Sequence, residues 1–136
     1  MEIKKASLSI LMLIIAMMGL GFCSEAIAQD KSLVVRMAKL HIDSTQLESY
    51  RVALKEEIET AVRVEPGVLT LYAVYEKNSP THVTILEIYA NQDAYKAHLE
   101  TPHFKKYKST TKEMVKSLEL VESVPIALAA KPKMSN

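Results

Sequence analysis

Two histidines flank a single proline in Ala97-His98-Leu99-Glu100-Thr101-Pro102-His103-Phe104. Histidine titrates near neutral pH, so either one can serve as a general base or donate a hydrogen bond to a substrate oxygen. Proline disfavours a helical residue before it and suits the first position of a new helix. The spacing therefore predicts one helix carrying His98, a stop at Thr101, and a second helix with His103 in its first turn. There the positive end of the helix dipole keeps His103 neutral. Each also has a plain structural use, His98 bonding a backbone carbonyl at the corner and His103 capping or facing solvent. The pair does not read as a metal site. Ligands on one helix want spacings near four, whereas these histidines straddle a break and lack an evident carboxylate partner.

Glu87 and Tyr89 stand two apart in Val83-Thr84-Ile85-Leu86-Glu87-Ile88-Tyr89, so in a strand they share a face with Val83 and Ile85. A carboxylate in such an apolar wall must be paired or have a raised pKa, which suits either a catalytic base or a salt bridge between subunits. Tyr89 can stack on a ring, donate its hydroxyl or simply fill a core. Tyr72 and Tyr75 point to opposite faces of their strand, so at most one lines a pocket. Parity does not choose between them, and Tyr72 is carried as a candidate substrate contact. Arg36 is a further candidate, for anchoring an anionic product or for an interface ion pair. Lys105, Lys106, Lys108, Lys112 and Lys116 read as a solvated face interrupted by Glu113 rather than as a nucleic-acid patch.

These residues need elements to hold them. Leu33 to Ile42 is largely apolar on both alternating sets and reads as a strand covered on both faces. Thr45 with Glu48 fits a capping box, and Leu47, Tyr50, Leu54, Ile58 and Ala61 form one helical stripe that ends at Glu65-Pro66-Gly67. Val68 to Glu76 and His82 to Ala90 predict an antiparallel pair joined by the loop 77–81. Asn91 caps a short helix and Thr101 the next, with a stripe from Phe104 through Tyr107, Thr111 and Met114. A last strand, about Leu118 to Leu128, carries Pro125, which confines it to an edge or a bulge. The order strand, helix, strand, strand, helix, strand is the α+β ferredoxin-like split βαβ. Its helices cover one sheet face. Because the other alternating set is also apolar, a second copy of the sheet is the simplest cover, and a homodimeric α/β barrel is expected.

At the N-terminus, Lys4 and Lys5 precede an apolar run to Phe22 and then Ala26-Ile27-Ala28. This reads as a cleaved secretory signal over residues 1–28, followed by one domain over 29–128 and a loose tail over 129–136. The run is short for a membrane anchor, so an exported protein, periplasmic or secreted and free of the membrane after cleavage, is expected. Cys23 is the single cysteine. Phe22 before it is bulky for a lipoprotein signal. Cleavage after Ala28 leaves no thiol for disulfides, metal ligation or nucleophilic catalysis. A net charge of +1 argues against a nucleic-acid partner.

Glu65-Pro66-Gly67, Glu87-Ile88-Tyr89, Ala97-His98-Leu99, Thr101-Pro102-His103-Phe104 and Tyr107, in this order over these elements, resemble the antibiotic biosynthesis monooxygenase family. The resemblance covers about Leu33 to Val124. It implies a dimeric barrel that oxidises a small electron-rich aromatic, such as a phenol, hydroquinone or anthrone, with O2 and without flavin, haem or metal. His98, His103 and Glu87 are then the catalytic candidates, and Tyr89, Tyr72 and Arg36 the substrate contacts. Haem-degrading members carry a tryptophan at the haem pocket, and this chain has none. An isomerase or detoxifying enzyme acting on a small carbonyl compound, and a non-catalytic module binding a small apolar ligand, stay open as alternatives.

Overall fold

The structure, a computed structural model, describes residues 32–131. The expected signal over 1–28, Cys23 and the end of the tail lie outside the described residues. Four strands, β1 (Val34–Ile42), β2 (Val68–Glu76), β3 (Ser79–Tyr89) and β4 (Val115–Ser123), alternate with helices α1 (Leu47–Val64), α2 (Gln92–Glu100) and α3 (Pro102–Thr111). They form one antiparallel sheet in the order β2-β3-β1-β4. This is the expected α+β ferredoxin-like topology.

Register fixes which side chains share a face. Arg36 pairs with Glu87, Ala38 with Ile85 and Leu40 with Val83 on one side of β1, and Ala38 pairs with Leu120 and Leu40 with Leu118 on the other. This face receives the helices: Ala38, Leu40, Ile42, Val83 and Ile85 pack with Tyr50 and Leu54 of α1 in one buried cluster. A second cluster joins Ala61 of α1 to Val68, Leu71 and Tyr89. The opposite face carries Val35, Met37, Leu86, Ile88, Tyr72, Val74 and Val121. Val35 and Ile88 are buried there, whereas Tyr72 and Val74 are exposed.

Three local expectations are corrected. The capping box at Thr45 does not form, because Asp43 accepts from both the amide and the hydroxyl of Thr45, at 2.8 and 2.6 Å. The hydroxyl thus donates to Asp43 instead of accepting at the helix start. The chain makes a 3-10 turn, Ser44–Gln46, and α1 begins at Leu47. The loop 77–81 contracts to a two-residue turn, with β3 starting at Ser79 opposite Glu76. Pro80 is tolerated because it falls where the β2–β3 register shifts and before β1 begins to pair with β3. The last strand runs over Val115–Ser123 rather than 118–128. Met114 belongs to the turn after α3, its amide bonded to the Thr111 carbonyl and its carbonyl to the Asp43 amide. β4 lies on an edge as expected, with Pro125 beyond its end.

Candidate active site

A half-open cavity of about 620 Å3 lies between the helix-facing side of β3, β1 and β4 and the pair α2 and α3. Ala38, Leu40, Ile85, Leu118 and Leu120 give it an apolar floor, and Tyr95, Leu99, Phe104 and Tyr107 make its wall. Arg36, Glu87 and Tyr89 stand together on the floor, and Lys108, Lys112 and Lys116 line it from the later part of the chain.

The cross-strand pairing of Arg36 with Glu87 puts both side chains on the cavity face. The Tyr89 hydroxyl donates to Glu87 Oε2 at 3.0 Å. Arg36 donates to Glu122 Oε1 at 2.7 Å and to the Tyr95 hydroxyl, and its guanidinium carbon lies 4.3 Å from the Tyr95 ring centre. Burial pushes the Glu87 carboxyl above the usual carboxylate range, and the Tyr89 hydroxyl and nearby positive charges, Arg36 among them, oppose that shift only in part. Burial also pushes the Tyr89 hydroxyl up, so it remains a donor at neutral pH. The arrangement is a desolvated carboxylate in an aromatic cavity, which can take a proton from a bound hydroxyl.

The two histidines lie behind this cavity rather than on its surface. His98 is buried, with its ring centre 5.3 Å from that of Tyr89 and 4.8 Å from that of Phe104, two residues that do line the cavity. Its Nδ1 stands 2.9 Å from Glu65 Oε1, and His103 Nε2 stands 2.5 Å from the same oxygen. The predicted corner holds them: Asn91 caps α2 by accepting from the Ala94 amide, and the Thr101 hydroxyl accepts from the Phe104 amide while donating to the His98 carbonyl. Glu65, after the last residue of α1, and Glu57 on α1 complete the cluster. The carboxylates that the sequence did not place beside the histidines are therefore present.

Of the sequence candidates, Arg36, Glu87 and Tyr89 meet in the cavity and His98 meets His103 behind it. Tyr72 pairs with Leu86 and points to the opposite sheet face, while Tyr75 lies on the helix side with its ring under the Arg51 guanidinium. Tyr95 and Glu57 escaped the sequence reading. Tyr95 stands at helical spacing from His98 and Leu99. Glu57 sits between Leu54 and Ala61 on the buried stripe of α1, where spacing of three and four signals an interior carboxylate.

Fold and cavity together define a ferredoxin-like α+β domain that encloses an aromatic-walled space between sheet and helices. Residues 33–110 match the antibiotic biosynthesis monooxygenase family. A Bacteroides thetaiotaomicron VPI-5482 protein of known structure, described as a putative antibiotic biosynthesis monooxygenase, is 55% identical with a TM-score of 0.72, over 75% of this chain and 97% of that one. A putative monooxygenase from Lactobacillus acidophilus NCFM is 31% identical with a TM-score of 0.68, over 71% of this chain and 46% of the other. A more distant Nitrosomonas europaea structure, 20% identical with a TM-score of 0.65 over 69% of this chain and 90% of its own, shares the fold. Among curated proteins there is no match. This chain belongs to the antibiotic biosynthesis monooxygenase family.

Proposed function

We propose that the protein is a monooxygenase that oxidises a small quinol- or phenol-like aromatic with O2, using electrons from the substrate itself. The observation that carries this reading is Glu87, a carboxylate held above its usual pKa range in a cavity walled by four aromatic side chains, Tyr89, Tyr95, Phe104 and Tyr107. Glu87 takes the substrate hydroxyl proton, and Arg36 with Lys108 and Lys112 favours the resulting phenolate. The electron-rich phenolate passes an electron to O2 and recombines with it. For a hydroquinone, one oxygen atom ends on the ring and the other leaves as water, the substrate giving up four electrons. The base is thus assigned to Glu87 in preference to His98, which packs behind Tyr89 and Phe104, and to His103, which shares the Glu65 carboxylate with it.

The reading includes a homodimer in which the apolar sheet face around Val35, Met37 and Ile88 packs on a second copy, and export directed by residues 1–28. The test is O2 consumption by the purified mature chain with a panel of hydroquinones and anthrones, corrected for autoxidation. Turnover is expected, and Glu87→Gln is expected to reduce it by about 10²- to 10⁴-fold, the range for a general base. His98→Ala and His103→Ala are expected to lose less. Binding without turnover across the panel would overturn the oxygenase reading in favour of an isomerase or a binding module.

A further inference from the structure

Glu57 is a buried ionisable group for which the proposed oxidation has no use. It is 5% exposed, and neither carboxylate oxygen has a hydrogen-bond partner among the described residues. Leaving a carboxylate in that condition is costly, so a group that satisfies it is expected. Nε2 of His98 lies 3.7 Å from Glu57 Oε1. That separation is too long for a hydrogen bond.

With His98 Nδ1 held 2.9 Å from Glu65 Oε1, its Nε2 is the nitrogen turned toward Glu57. Two donor atoms on one tetrahedral zinc ion, each about 2.1 Å from it, stand about 3.4 Å apart, a few tenths of an ångström less than the spacing found here. The carboxylate, histidine and gap also stand in the order of carboxylate–histidine–metal arrangements, in which the far nitrogen is oriented by an acid. One donor atom from each of Glu57, Glu65, His98 and His103 lies within 4.8 Å of the others. A small cavity of about 50 Å3, lined by Glu57 and His103, adjoins them.

We propose that Glu57, His98 and His103, with Glu65 holding the two histidines, form a binding site for one divalent transition-metal ion of the zinc class. The donors are imidazole nitrogens and carboxylate oxygens with no thiolate, a set that suits zinc, cobalt, manganese or ferrous iron rather than copper(I). The ion ties α1 to α2 and α3 across the Thr101-Pro102 corner. It lies behind Tyr89 and Phe104, outside the large cavity, and its task is to lock the wall that those two rings build.

The test uses the mature chain after dialysis against chelator, titrated with ZnCl2 by calorimetry and followed by thermal unfolding and by the visible spectrum of the Co2+ form. One ion per chain is expected, with a raised melting temperature and the intense bands of a tetrahedral site. Glu57→Gln preserves shape and removes the buried charge, so it should fold at least as stably without metal. It should bind zinc about 10- to 100-fold more weakly, the range for loss of a group that supports a metal. His82→Gln, which alters an exposed histidine paired with His41, is the control and should bind as the parent does. Absence of zinc and cobalt uptake, or uptake that Glu57→Gln leaves unchanged, would overturn the proposal. Oxygen consumption plays no part in these readouts, so this site and the oxygenase chemistry stand or fall separately.

Discussion

Glu87 must be ionised to act as a base, yet its surroundings favour the neutral acid. Its raised pKa places the acidic limb of kcat/KM above the ordinary carboxylate value of about 4.3, with activity falling as pH drops through it. A pH–rate profile with the limb in the ordinary carboxylate range would contradict the assignment. The same shift has a consequence for stability. The folded pKa lies above the unfolded one, so this group's stabilising effect is full below the unfolded pKa and is lost as pH rises through the folded value. Glu87→Gln should therefore be more stable than the parent at about pH 8, with the gap closing in acid, as urea melts would record. Tyr89→Phe deletes the hydroxyl that stabilises the ionised form. Its acidic limb should move to higher pH, and rates near neutrality should fall several-fold.

Between elements, α2 closely approaches the turn before β2. A Cβ at Gly67 would lie 2.4 Å from the Ala94 methyl, so Gly67→Ala forces the helix to shift. The expected cost is about 1–3 kcal/mol, partly recovered in the double variant with Ala94→Gly, measurable as a shift in melting temperature. Thr101→Ala frees both the Phe104 amide and the His98 carbonyl from its hydroxyl and should cost about 1 kcal/mol. These helix ends were legible because Asn91, Thr101, Pro102 and the Glu65-Pro66-Gly67 turn act locally, each through its own backbone constraint. The start of α1 was not, since Asp43 and Thr45 are both capping residues and only the geometry decides which of them accepts. The site divided in the same way. Glu87 and Tyr89 followed from strand parity, which holds wherever a strand forms. The encounter of Glu65 and Glu57 with the histidines depends on α1 packing against α3, a contact between distant stretches of chain that no local spacing encodes.

Taken whole, the molecule has one face of its sheet covered by helices and the other lined by apolar side chains, of which Tyr72 and Val74 are 64% and 65% exposed. If a second copy covers that face, Val74→Glu should shift the sedimentation coefficient from dimer to monomer while leaving the ferredoxin-like fold intact by circular dichroism. A parent protein that sediments as a monomer at all concentrations would remove that part of the reading. The sheet order carries a different consequence, for the timing of synthesis. β1, the first strand, has β4, the last, as one of its two neighbours, and the register joins Val35 to Ser123 and Leu40 to Leu118. A chain emerging from the ribosome holds its first strand half-paired until residues near 123 appear. Leu118 and Leu120, which complete the cavity floor, arrive with them. Nascent chains halted before Val115 should thus remain protease-sensitive, and those released past Ser123 should resist. Domain and cavity would then become complete together, when β4 joins β1.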